Sequence, residues 1–276
     1  MKRFINKPFW WAITYSVLLA GFTTFVLLDT FVIPRGIQSV PEAGYTRNDN
    51  AAKTTTVTSA AVAPSVTDSA YSGEANDTAS TAADGDSYTA NSYKDENISI
   101  TITTERRYDT QVYIADIQLR SVEYLKTAFA QNTFGRNITQ KTSAIAEAHN
   151  AIFAINGDFC GFRNSGFVIR NGILYRSTPR SGNDDKALVI YENGSFEVVS
   201  ENTTSASELL NQGAVQVFSF GPPLLIDGEV SVNTNTEVAK AMTSNPRTAI
   251  GIIDPLHYIM IVSDGRTKAK AVSEIF

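Results

Sequence analysis

The chain of 276 residues sets 23 Lys and Arg against 28 Asp and Glu, for a formal net charge of −5, and carries one cysteine. This balance lacks the basic stripe with which a protein displaces counterions from a nucleic-acid backbone, so nucleic acid is excluded as a partner. A single thiol forms no internal disulfide. Cys160 reads as a small buried hydrophobe, because neither His149 nor His257 stands in a signature that would tie it to a nucleophile.

Residues 8–28 contain no charged side chain. At about 1.5 Å per residue the run spans about 31 Å, close to the thickness of a bilayer's hydrocarbon core. Trp10, Trp11 and Tyr15 sit where amphipathic rings favour the headgroup level, and Lys2, Arg3 and Lys7 precede them. The pattern predicts a cytoplasmic N-terminus at residues 1–7, a single-pass anchor at 8–34 and an extracellular remainder. The lipid bilayer is thus an expected partner through Pro8 to Pro34. A cleaved signal peptide is the rival reading, against which stand the length of the run and the lack of a small-x-small site after it.

Residues 35–96 are rich in Ala, Ser, Thr, Asp and Asn, with almost no large aliphatic side chains. A segment of this kind buries too little apolar surface to offset its ordering entropy. It predicts a disordered linker with a reach on the order of 40 Å.

The residues from 97 to 276 suffice for one domain. Residues 98–103 and 111–119 alternate apolar and polar, which predicts two half-buried strands. Residues 143–149 read as a short helix leading into 151–155, a continuous apolar run that suits a strand buried on both faces. Asn171-Gly172 between 167–170 and 173–176 predicts a hairpin, and a second hairpin turns at Asn193-Gly194 between 187–191 and 196–199. Residues 205–211 read as a helix, with Ser205 or Ser207 as its cap. Short strands at 215–220, 224–227, 248–253 and 257–263 complete the pattern. Many strands with few helices predict the α+β class, a twisted mixed β-sheet domain with few short helices.

Polar residues gather where these apolar runs end. Asn156, Gly157 and Asp158 follow 151–155, and loops at strand ends are where rigid scaffolds display functional groups. A plain Asn-Gly turn with Asp158 capping a backbone amide is the structural alternative. Ser219-Phe220-Gly221-Pro222-Pro223 ends a strand in a bend that shapes a wall, with Gly221 amides open to a ligand. Asn245-Pro246-Arg247-Thr248 opens one strand and Ser263-Asp264-Gly265-Arg266 closes another. Two guanidinium groups at strand ends match phosphate oxygens, which arginine binds bidentately. Asp158, Asp227 and Asp264 are oxygen donors at no calcium-loop spacing, so neither metal nor cofactor is expected.

Taken in order, Asn-Gly-Asp-Phe, Gly-Phe-Val-Ile-Arg-Asn-Gly, Ser-Phe-Gly-Pro with Leu-Ile-Asp-Gly behind it, Asn-Pro-Arg-Thr-Ala-Ile-Gly and Ser-Asp-Gly-Arg resemble the phosphodiester glycosidase family. The resemblance runs from about Ile98 to Phe276. It implies hydrolysis of a sugar-1-phosphodiester, such as a GlcNAc-1-phosphodiester, in envelope or exopolysaccharide glycans. Asp158, Asp264, Arg247 and Arg266 would then be catalytic, and Asn156, Gly157, Gly221 and Thr248 would bind substrate. The family continues past Asp-Gly-Arg with a helix and a glycine-rich segment, so the resemblance also implies a domain incomplete at its C-terminus, an enzyme if completed, with room for a completing chain. The alternative is a noncatalytic glycan-binding or polymer-assembly protein.

Overall fold

The computed structural model describes residues 10–39, 80–81, 87–107, 110–182, 185–233, 236 and 245–264. In chain order its elements begin with helix α1 (Trp10–Phe31) and strands β1 (Arg35–Ser39), β2 (Ser80–Thr81), β3 (Ser87–Tyr88), β4 (Ser92–Lys94), β5 (Ile98–Arg107), β6 (Thr110–Leu119) and β7 (Thr133–Arg136). Helix α2 (Thr142–Ala148) precedes β8 (Val168–Arg170), β9 (Ile173–Arg176), β10 (Lys186–Tyr191) and β11 (Phe196–Ser200). Helix α3 (Ala206–Asn211) is followed by β12 (Ala214–Phe218), β13 (Leu225–Ile226), β14 (Glu229–Val230), β15 (Arg247–Asp254) and β16 (His257–Ser263). The protein is therefore mostly sheet with few short helices, behind one apolar N-terminal helix.

The chain divides into two compact bodies. The first comprises Met1–Val40, Lys126–Ser244 and Ala269–Phe276; the second comprises Pro41–Leu125 and Asn245–Lys268.

The first body is built on a five-stranded sheet of order β11-β10-β12-β8-β9. Strand alternation gives this sheet two apolar faces. Phe167 and Ile169 pack with Val189, Val217, Ala206 and Leu209, so α3 covers one face. Val168, between them in sequence, packs instead with Phe134 of β7 and Cys160. Phe129, Phe134 and Tyr175 close that second cluster, with ring centroids 4.9 to 5.5 Å apart. Ser205 caps α3 by accepting from the Glu208 amide at 3.1 Å.

Both expected hairpins form, by different turns. Asn171 and Gly172 take φ of 51° and 76°, as a type I′ turn requires. In the second, the Gly194 amide donates to Tyr191 O at 2.8 Å and only Gly194 has positive φ, at 81°, which describes a three-residue loop ending in a glycine bulge.

The second body carries a sheet of order β15-β16-β6-β5-β4-β3-β2. Its centre is the long β5–β6 ladder, from Ile98 opposite Leu119 to Arg107 opposite Thr110. Ile100, Val112, Ala115, Ile117, Tyr258 and Met260 are its buried apolar residues.

Three expectations need correction. Residues 151–155 form no strand: Ala151, Ile152 and Ala154 are exposed, and no described strand pairs with them. An apolar run becomes a buried strand only where neighbours supply both a ladder and a covering face. All pairings among the described residues are antiparallel rather than mixed, and the one segment expected to bring in a doubly buried strand forms no pairing. The segment expected to be a disordered linker at 35–96 begins and ends in paired strands, β1 on β7 and β3 and β4 beside β5. Edge pairing uses backbone groups, which composition does not reveal. Residues 40–79 and 82–86 of that segment lie outside the described residues.

Gly166 has φ of 97°, and a Cβ there would stand 2.8 Å from Ser219 Cβ and 3.3 Å from Arg180 Cγ. Gly172 has φ of 76° with nothing near it. Gly166→Ala is expected to cost about 3 kcal/mol or more, and Gly172→Ala about 1–2 kcal/mol. Urea midpoints of the two variants check this; equal losses would mean that contact at Gly166 contributes nothing.

Candidate active site

In the first body, α2 ends at His149 and an irregular loop carries Asn156, Gly157 and Asp158 to a short 3₁₀ turn at Cys160–Phe162. Asp158 does not cap a backbone amide. Its Oδ1 accepts from Arg170 Nη2 at 2.7 Å, with the two side chains only 6% and 5% exposed. Arg170 Nη1 also donates to Ile169 O at 3.0 Å and to Val217 O, and its guanidinium lies 4.3 Å from the Phe218 ring centroid. Gly157 meets the same ring, since a Cβ there would stand 3.8 Å from Phe218 Cε1. A buried ion pair holds only when the remaining donors are satisfied, and Arg170 meets that condition through two carbonyls and a ring.

Around this pair the chain is tied by charged side chains that bind backbone. Arg176 donates to Gly166 O, Cys160 O and Arg163 O at 2.6, 2.9 and 2.7 Å. Glu201, buried and ion-paired to Arg180 at 3.5 Å, accepts from the Phe167 and Arg180 amides at 3.3 and 2.5 Å and from the Ser219 hydroxyl. At the rim, Phe159 and Phe220 meet edge to face at 4.8 Å. Arg163 lies over Phe159 at 4.5 Å and donates to Ser219 O at 3.1 Å. The bend at Gly221, φ 70°, thus stands beside the Asn156–Asp158 loop.

Burial pushes the Cys160 thiol up to about 11, and the neighbouring Asp158 charge acts in the same direction, with Arg170 and Arg176 opposing. A thiol held protonated is no nucleophile at neutral pH.

In the second body, antiparallel register sets Arg247 opposite Ser263 and Thr248 opposite Val262, so Arg247, Thr248 and Asp264 share one end of the β15–β16 hairpin. The Asp264 amide donates to Gln111 O at 3.0 Å, and the Asp264 side chain is exposed. Ser263 beside it is buried, and among the described residues its hydroxyl has no hydrogen-bond partner. At the opposite end His257 Nε2 lies 3.0 Å from Asp116 Oδ1.

The expected site residues therefore fall into two groups, Asn156, Gly157, Asp158 and Gly221 in the first body and Arg247, Thr248 and Asp264 in the second. Arg266 lies outside the described residues. Among the described residues, no group of three or more His, Cys, Asp or Glu is placed to hold a metal ion. Sequence reasoning passed over Arg170, Arg163 and Glu201. For Arg170 the one available signal was alternation, which sets it on the same strand face as Val168.

Residues 149–274 match the family model described as Phosphodiester glycosidase, the family that the motifs resemble. The match takes in both groups of residues. No curated protein matches the chain.

The raised Cys160 pKa fixes a pH dependence. The unfolded thiol ionises near 9 and the folded one near 11. The folded state therefore holds the proton more tightly, and its advantage is full below pH 9 and lost as pH rises to about 11. Linkage puts the loss at about 2–3 kcal/mol. Urea titrations of wild type and Cys160→Ala across that range are expected to converge as pH rises; parallel curves would show that the thiol is not held as described.

Proposed function

We propose that this protein, whose residues 149–274 match the phosphodiester glycosidase family, is a membrane-anchored hydrolase that removes a sugar from a sugar-1-phosphodiester in envelope or exopolysaccharide glycans. The observation that carries the reading is the family match over a segment holding all the motif residues. Supporting it, a 22-residue apolar helix near the N-terminus has the length to cross a bilayer. With basic residues ahead of that helix, the N-terminus lies in the cytoplasm and the residues after the helix lie outside.

The leaving group in such a reaction is a phosphomonoester, whose second pKa is about 6, so protonating it gains little. Holding the charge that develops on its oxygens matters more, which is the role given to Arg247 and Arg266. The sugar passes through an oxocarbenium-like state that calls for a nearby carboxylate or a carboxylate-activated water. Asp264, exposed beside Arg247, is assigned that role. Asp158 is already committed to Arg170, so its part is to position the Asn156–Asp158 loop.

The purified 276-residue chain in detergent is expected to hydrolyse a GlcNAc-1-phosphodiester. Arg247→Ala and Asp264→Ala should each lower kcat/KM by roughly a hundredfold with unchanged circular dichroism. No hydrolysis by the folded wild-type chain, together with binding of glycan, would favour a noncatalytic glycan-binding protein instead.

Asp158→Ala strands Arg170 as an unpaired buried charge and is expected to cost about 3–5 kcal/mol. A double-mutant cycle with Arg170→Met separates the pair's coupling from lost packing. A coupling near zero would remove the positioning role.

A further inference from the structure

Helix α1 ends at Phe31 and β1 begins at Arg35, so three residues join them. Fully extended, three residues reach at most about 10 Å. They are not extended: the amides of Val32 and Ile33 both donate to Leu28 O, at 2.9 and 2.8 Å. Asn137, just past β7, donates through Nδ2 to Thr30 O and Ile33 O at 3.1 Å each. Asp29 and Arg35 form an ion pair across the same turn.

Strand β1 is in turn fixed to the first body at close quarters. It pairs with β7 from Arg35 opposite Arg136 to Ser39 opposite Thr133. A Cβ on Gly135 would stand 2.0 Å from Arg35 O, and one on Gly161 2.5 Å from Gly135 O. Only glycine permits this stack, which joins β1, β7 and the Cys160–Phe162 turn. With β1 so held, the reach of the segment after Ser39 does not set the distance between this body and the helix.

The apolar surface also runs on past the helix. Phe31, Val32, Ile33 and Ile37 are all exposed. Ile37 is the unpaired residue where the ladder shifts between Gly36 and Gln38. A bulge of this kind re-aims one side chain. Arg136, directly opposite Arg35 in the ladder, adds positive charge beside this surface, Arg35 itself being paired to Asp29, and this suits anionic headgroups.

We propose that the β1 surface around Ile37 rests in the headgroup layer of the bilayer that α1 crosses. This inference rests on the membrane-anchor reading and not on the glycosidase activity.

The test uses the full chain in phosphatidylcholine–phosphatidylglycerol vesicles containing brominated lipid, with an environment-sensitive dye on Ile37→Cys or, as control, on Asn211→Cys. Asn211 is on α3, on the opposite sheet face from β7. Cys160, buried and held protonated, stays unlabelled. Quenching at position 37 and none at 211 is expected. Equal signals at the two positions in protein that floats with the vesicles would overturn the bilayer contact, and failure to float would sink the membrane-anchor reading on which it rests.

Discussion

The first body depends on where one guanidinium is put. Arg170 stands on a strand face that its neighbour Val168 fills with apolar contacts, so its charge has no access to bulk water. Burying such a charge alone is prohibitive, and the local backbone is arranged to satisfy it. The carboxylate of Asp158 must come to it, which fixes the path of the loop before the 3₁₀ turn; the Ile169 and Val217 carbonyls must face it, which fixes β8 against β12. The Phe218 ring then lies beneath it, and Gly157 packs on that ring. A single desolvated cation thus sets the loop that carries the motif.

Glu201 plays the complementary part with opposite charge. Its carboxylate gathers an amide before β8, an amide near residue 180 and the hydroxyl that ends β12. None of those segments has a ladder of its own at that point, so a buried anion supplies what regular structure would otherwise provide. The rim pair Phe159 and Phe220 then joins the two loops that this network and the Arg170 network order separately.

Local signals in the sequence were reliable where the chemistry is local. Asn171-Gly172 reads as a turn because both residues must take positive φ, and they do; Ser205 reads as a cap because its hydroxyl reaches an amide three residues on. The two strands that gather Arg247, Thr248 and Asp264 were legible as apolar runs with polar ends, though their pairing was not. What sequence did not show depends on partners distant in the chain. Residues 151–155 look like a buried strand and lack a ladder among the described residues. Strand β1 looks like the start of a linker and is held by a glycine almost a hundred positions away. Arg170 drew no notice in the sequence, and becomes the buried centre of a network only because Asp158 and two carbonyls converge on it.

The glycine stack that seats β1 also has a consequence for the order of assembly. Strand β1 leaves the ribosome roughly ninety residues before its partner β7, a delay of roughly 5–20 s at usual rates of synthesis. Through that interval it is an unpaired edge, open to the wrong neighbour. On the membrane-anchor reading, a helix already inserted would confine this edge until Thr133–Arg136 arrives, and Gly135, with no Cβ to strike Arg35 O, then lets the two backbones close. The N-terminal helix would in this way act as a folding template, holding the first strand of the body in wait for the rest.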